Sequence, residues 1–153
     1  MKLTLAAAST FIATALAATL PKSFTLVADG GNTVLTDNSH AIVDASQANT
    51  REILRLTSND GASISFTQQG LPPTAWQDFY AIPGDVQPLA LTVPHSGDHP
   101  ADAVFNGWGV TDDGYLTFNG ENSFGLSEDN KQVYYLGTES DIPKVSLWVK
   151  ELK

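Results

Sequence analysis

From Pro21 onward, glycine and proline interrupt the chain about every ten residues, and the runs between them are short and rich in Val, Ile, Leu, Thr, Phe and Tyr. Residues of this kind fit a pleated, half-buried surface, and breaks this frequent leave no room for ordinary helices. The spacing predicts an all-β domain. Phe24–Val27 reads as a first strand stopped by Asp29-Gly30-Gly31, and Ile53–Thr57 and Ala62–Phe66 flank Asn59-Asp60-Gly61 as a hairpin. After Phe105 the rhythm is clearest. Trp108–Val110 and Tyr115–Phe118 flank Asp112-Asp113-Gly114, and Asn119-Gly120 turns the chain towards Phe124. Val145, Leu147 and Val149 alternate with Ser146, Trp148 and Lys150, as in a half-buried closing strand.

The expected fold is a single-domain antiparallel β-sandwich or barrel with one short helical turn. That turn falls in Leu71–Tyr80, where two prolines, Thr74 as a cap, and Trp76, Phe79 and Tyr80 at helical spacing predict a small plug for one end of the β structure. A β-trefoil-like arrangement is the alternative. The second half keeps some of that rhythm, although no internal repeat is strong enough to define it.

The first residues read as a secretory leader. Lys2 supplies the positive end, Leu3–Leu16 the apolar stretch, and Ala15-Leu16-Ala17 the small-x-small pattern before a cleavage. The expected boundaries are a signal peptide over 1–17 and one secreted domain over 18–153. A membrane anchor would need roughly 20 apolar residues, whereas Thr4, Ser9, Thr10 and Thr14 dilute this segment and Pro21 ends it. The end of the chain, Val145–Lys153, is charged and does not resemble a lipid-anchor tail.

Eight Lys and Arg stand against 17 Asp and Glu, a net charge of −9. A surface this acidic repels nucleic acid and anionic membranes, so neither is an expected partner. There is no cysteine, and hence no disulfide framework, thiol nucleophile or thiolate metal site. The leader and the acidic, cysteine-free domain together predict a secreted protein, extracellular or held in a cell wall.

Catalytic signatures are missing. His95 and His99 have the HxxxH spacing of a helical zinc site, but Pro94, Gly97 and Pro100 forbid the helix, and Ser96 stands where the zinc-protease glutamate would be. No Gly-x-Ser-x-Gly elbow occurs. Most acids, among them Asp29, Asp37, Asp60, Asp112, Asp113 and Asp129, fall in turns, and neither Asp112-Asp113-Gly114 nor Glu128-Asp129-Asn130 follows the spaced pattern of a calcium loop. No cofactor and no metal are expected. The residues singled out for ligand binding are aromatic: Trp148, on the polar phase of its strand, then Trp76 and Trp108, with His95 beside them. Exposed rings stack on the flat apolar faces of sugars, whereas buried ones serve the core.

Pro94-His95-Ser96-Gly97-Asp98-His99-Pro100, Phe105-Asn106-Gly107-Trp108 and Asp113–Gly120 together resemble a group of small secreted fungal proteins, the phialide-associated cell-wall proteins and relatives called IgE-binding proteins. Those proteins usually carry cysteines where this chain has Phe124–Ser127 and Asp141–Lys144, so the likeness is to a cysteine-free variant. The resemblance implies an extracellular or wall location and no catalytic residue. A non-catalytic extracellular or wall-associated protein, acting at the wall or a host surface, is the leading expectation, with wall polysaccharide or a host protein as partner. A carbohydrate-binding module is the first alternative. A small hydrolase or metal enzyme using His95 and His99 is the second.

Overall fold

Three short segments share one pattern, apolar–hydroxyl–apolar: Phe24-Thr25-Leu26, Ile64-Ser65-Phe66 and Leu116-Thr117-Phe118. Alternation sends the two apolar side chains of each segment inward, and all six are buried. Each segment opens one of three similar units. The structure, a computed structural model, describes residues 18–137 and 140–153. The expected leader, 1–17, lies outside the described residues.

The first unit holds β1 (Ser23–Ala28), β2 (Leu35–Thr36), β3 (Ala41–Ile42), β4 (Glu52–Ile53) and β5 (Leu56–Ser58). The second holds β6 (Ile64–Phe66), β7 (Gln77–Tyr80), β8 (Gln87–Pro88), β9 (Ala90–Leu91) and β10 (Trp108–Val110). The third holds β11 (Leu116–Phe118), β12 (Phe124–Leu126), β13 (Val133–Tyr135), β14 (Lys144–Val145) and β15 (Leu147–Glu151). Every pairing between named strands is antiparallel.

Each unit closes on itself in the same way. The carbonyls of Lys22, Ala62 and Gly114, just before or at the opening of each unit, accept from the amides of Ser58, Trp108 and Val149 near its end. Inside each unit a hairpin projects, β2 with β3, β7 with β9 and β12 with β13. The returning chain crosses the hairpin base at Leu35–Ile53, Ala81–Val104 and Phe124–Val145. Successive units join through the β5–β6 and β10–β11 hairpins, and the two ends of the chain join through β15 and β1. Six strands thus form a ring in the order β1, β5, β6, β10, β11, β15. Two of its joints are carried by isolated bonds rather than ladders: Ala62 to Trp108, and the Tyr115–Trp148 bridge with Gly114 to Val149. It is therefore not a continuously paired closed barrel. The hairpins meet at one end of the ring, through His40–Ala90, Ile42–Gln132 and the β8–β13 ladder.

The all-β expectation holds, and among the arrangements the sequence allowed, this pairing is the trefoil-like one. The turn residues behave as their chemistry requires. Gly61 (φ +87°) ends the Asp60-Gly61 turn, and Asn119 and Gly120 both have positive φ in the Asn-Gly turn. Asp60 accepts from the amides of Ala62 and Ser63 and the hydroxyl of Ser63, and these bonds hold its carboxyl below the usual range.

The core sits where the units converge. Trp108 stacks on Phe79 (4.8 Å between centroids, 12° between planes), meets Phe118 edge-on at 4.8 Å, and lies parallel to Phe124 at 6.5 Å. Its indole N–H donates to the Phe79 carbonyl at 3.0 Å. At 3% exposure it has no face to offer a ligand, which removes it from the ligand-binding residues. The reason is its strand phase: the Trp108 side chain takes the inward position of β10. Tyr135 joins the same cluster, and burial with its hydroxyl bond to the Glu121 carboxylate pushes its ionisation up to about 12.

The segment after Leu71 departs from expectation in one respect. A short 3-10 turn does form, over Pro73–Ala75, but Pro72 rather than Thr74 precedes it, with no side-chain cap. Trp76 is already extended (φ −63°, ψ 151°), and Gln77–Tyr80 is strand. The helical spacing of Trp76, Phe79 and Tyr80 is therefore a coincidence. A period of two governs: Gln77 and Phe79 point inward, Trp76 and Asp78 outward.

Candidate functional site

The outward phase of β7 builds the site. Trp76 is 51% exposed, a large apolar surface left to water, and it lines an open cleft of about 430 Å³. Pro73 and Trp76 supply its apolar lining. Thr57 and Asn59 at the end of β5, Ser65 and Thr67 along β6, and Asp78 on β7 supply hydroxyl, amide and carboxylate groups. The cleft is lined by no lysine or arginine. A flat apolar ring beside convergent small polar groups suits a ligand with one apolar face and many hydroxyls.

Buried anchors hold this geometry. Between Trp76 and Asp78, the Gln77 side chain is fully buried and donates to the carbonyls of Asn38 and Thr92, each at 2.8 Å. The Asp78 amide donates to the Thr92 hydroxyl at 2.9 Å, and the Asp78 carbonyl accepts from the Thr92 amide at 3.0 Å. The backbone on either side of Asp78 is thereby fixed, while its carboxylate receives no hydrogen bond from the described residues. Partial burial raises the Asp78 pKa above the usual carboxylate value, and the nearby His99 opposes that rise.

This shift has a consequence for stability. A carboxyl whose folded pKa stands above its unfolded value of 3.8 holds its proton more tightly when folded. Its ionisation weakens the fold as pH rises through that window. Asp78→Asn is therefore expected to melt higher than the parent at pH 7, and the difference should vanish near pH 3, where both forms are neutral. Thermal melts at the two pH values check this. A lower melting temperature for Asp78→Asn at pH 7 would mean that the carboxylate accepts a stabilising bond.

The other residues singled out from sequence do not line the cleft, although His99 stands close enough to Asp78 to act on its charge. Trp148 is 49% exposed on the outer phase of β15, opposite Val27. Its indole rests against Gly114 (φ +97°), where a Cβ would lie 2.7 Å from the indole nitrogen. The pyrrole part of the indole thus lies close against backbone, but Trp148 does not line the polar cleft. His95 is exposed at φ +69°, and His99 bonds through Nδ1 to the Pro100 carbonyl (2.7 Å) and packs edge-on against Phe105. Among the described residues, no group of three His, Cys, Asp or Glu is placed to hold a metal. No helix there is long and apolar enough to cross a membrane.

A second cleft, of about 420 Å³, lies between the first and third units and includes Asp29, Asp44, Glu128, Lys131 and Lys144. Two of its carboxylates are already committed to the fold. Asp29 accepts from the Ser146 amide at 2.8 Å, and Asp44 caps the Ala45–Gln47 turn through the Ser46 amide. The Trp76 cleft, with a free ring and a free carboxylate, is the better candidate.

Sequence reasoning singled out Trp76 but not Thr57, Asn59, Ser65, Thr67, Gln77 or Asp78. The available signal was the alternation Ala75-Trp76-Gln77-Asp78-Phe79, which reads as strand with Trp and Asp on one side. Set against known protein families, curated proteins and solved structures, the chain finds no match in any of the three.

Proposed function

We propose that this chain is a secreted, non-catalytic protein that holds to neutral polysaccharide, as a cell-wall or extracellular component, through the Trp76 cleft. The observation that carries the reading is the half-exposed Trp76 indole beside Thr57, Asn59, Ser65, Thr67 and Asp78. Stacking supplies affinity for a sugar face, and the small polar groups supply hydrogen bonds to its hydroxyls. Asp78 is the one carboxylate lining the cleft, and glycoside hydrolysis of the usual kind needs two flanking the bond. That favours binding over cleavage. The acidic composition and the absence of basic lining favour an uncharged polymer over an anionic one. The leader and the resemblance to fungal wall proteins support wall polysaccharide as its source.

The test is retention of residues 18–153 on insoluble chitin, β-glucan and cellulose, with Trp76→Ala and Trp148→Ala alongside. The parent is expected to be retained on at least one of them. Trp76→Ala should weaken binding roughly 30-fold, the loss of about 2 kcal/mol typical of a central aromatic anchor. Trp148→Ala should bind as the parent does. No retention on any polymer would overturn the reading. Retention lost with Trp148→Ala but kept with Trp76→Ala would move the site to the outer face of β15.

A further inference from the structure

The cleft is one end of a longer feature. Ser23 on β1 pairs with Thr57 on β5, Thr57 pairs with Ser65 on β6, and Ser65 pairs with Asp78 on β7. Four consecutive strands thus place a small polar side chain in one cross-strand row. Their neighbours Phe24, Leu56, Ile64, Phe66, Gln77 and Phe79 point the other way into the core, so the row lies on the outer face. All four members are half-buried, sheltered enough for their hydrogen bonds to count and open enough to be reached. The Ser23 and Thr57 hydroxyls bond to no described side chain, and Ser65 meets only Asn59, at 3.4 Å.

Neighbouring strands are spaced about 4.8 Å apart, so the row spans roughly 14 Å. That interval is close to the advance per residue of an extended hexose polymer. A single sugar covers only the Trp76 end, and a short chain covers the whole row.

We infer that the ligand is a linear, uncharged hexose chain of about four residues that lies across the strands, one residue per strand, from Trp76 and Asp78 to Ser23. This rests on the saccharide reading of the Trp76 cleft and adds the ligand's length, direction and far contact. Charge limits the occupant. The row ends on the Asp78 carboxylate, and no lysine or arginine lines the cleft, which disfavours uronic acid or sulfated chains.

Calorimetric titration with soluble β-1,3-gluco-, cello- and chito-oligosaccharides, from disaccharide to hexasaccharide, tests it on residues 18–153. Affinity should rise at least about tenfold from disaccharide to tetrasaccharide in one of the series and then level off. Ser23→Arg, which fills the far end of the row, should remove that gain while leaving disaccharide binding unchanged. Thr57→Ala, which only deletes a hydroxyl and a methyl, should lower tetrasaccharide affinity several-fold. Thermal melts confirm that each variant is folded. Affinity that is independent of chain length, yet lost in Trp76→Ala, would overturn the row and leave the cleft as a single-sugar site. A length gain untouched by both Ser23→Arg and Thr57→Ala would also overturn it. Absence of binding at every length and in every series would instead bring down the saccharide reading itself.

Discussion

Trp108→Ala is expected to lower the melting temperature by on the order of 10–20 °C, or to leave the chain unfolded. Removing a fully packed tryptophan costs about 3–5 kcal/mol in transfer and cavity terms. A domain of this size holds only about 5–15 kcal/mol in total. The site cannot collapse easily, because Trp108 contacts rings from two units: Phe79 on one side, Phe118 and Phe124 on the others. The Phe79 carbonyl also loses its indole donor and stays buried, which adds about 1 kcal/mol or more. Trp108→Phe keeps a ring against Phe79 and should cost roughly half as much. Trp148→Ala, on the exposed outer face, should cost less than about 1 kcal/mol. Urea denaturation of the three variants checks the order. Equal losses for Trp108→Ala and Trp148→Ala would mean that the centre of the core is misplaced.

The contrast between these two tryptophans shows what local pattern can and cannot reveal. Trp148 sits in a regular alternation, Leu147 and Val149 inward, so its outward phase was legible from five residues. Trp108 follows Gly107 and precedes Gly109, and glycines carry no phase. Only the tertiary arrangement, with three units converging, decides that the indole turns inward. Likewise the hairpins at Asp60-Gly61 and Asn119-Gly120 were readable, because a positive φ demands those residues. The threefold plan was legible only as the alternative, from the rhythm of the second half, although Phe24-Thr25-Leu26, Ile64-Ser65-Phe66 and Leu116-Thr117-Phe118 repeat one motif. A three-residue pattern is weak alone, and unequal hairpin lengths place it at uneven intervals. The second unit carries the long Pro94–Asp102 loop, which stretches its spacing beyond the others.

The cleft was hidden for a different reason. Thr57, Ser65 and Asp78 are separated in sequence and meet only through antiparallel register. Each is an ordinary outward strand residue on its own. Trp76 was visible as an aromatic, but the prolines before it suggested helix, and a helical reading scatters Trp76 and Asp78 to different faces. Once β7 is a strand, the two share a face, and the ring and the carboxylate become one site.

Gln77 is what holds them there, and Gln77→Glu should expose that role through pH. The side chain is fully buried, with its amide nitrogen donating to the carbonyls of Asn38 and Thr92 and its oxygen accepting from Gln68 at 3.2 Å. Glutamate has the same shape but, when ionised, no donor. It would face two carbonyls with a charge, leaving both unsatisfied. At pH 7 the expected loss is at least about 3 kcal/mol, the scale of an uncompensated buried charge. Desolvation and the two carbonyls raise the folded pKa of the introduced carboxyl above its unfolded value of about 4.3. The folded state then binds the proton more tightly, so the deficit is fully present above the folded pKa and shrinks as pH falls through it. The protonated acid restores one of the two donors, which makes the recovery partial. Urea midpoints of parent and variant compared near pH 4 and pH 7 measure this. A deficit of the same size at both would mean that the loss comes from packing alone. In the folded variant at low pH, saccharide affinity should remain below that of the parent at the same pH. One of the two bonds that fix the backbone between Trp76 and Asp78 is still missing there, and a ring and a carboxylate that are each intact bind poorly when their separation is free to vary.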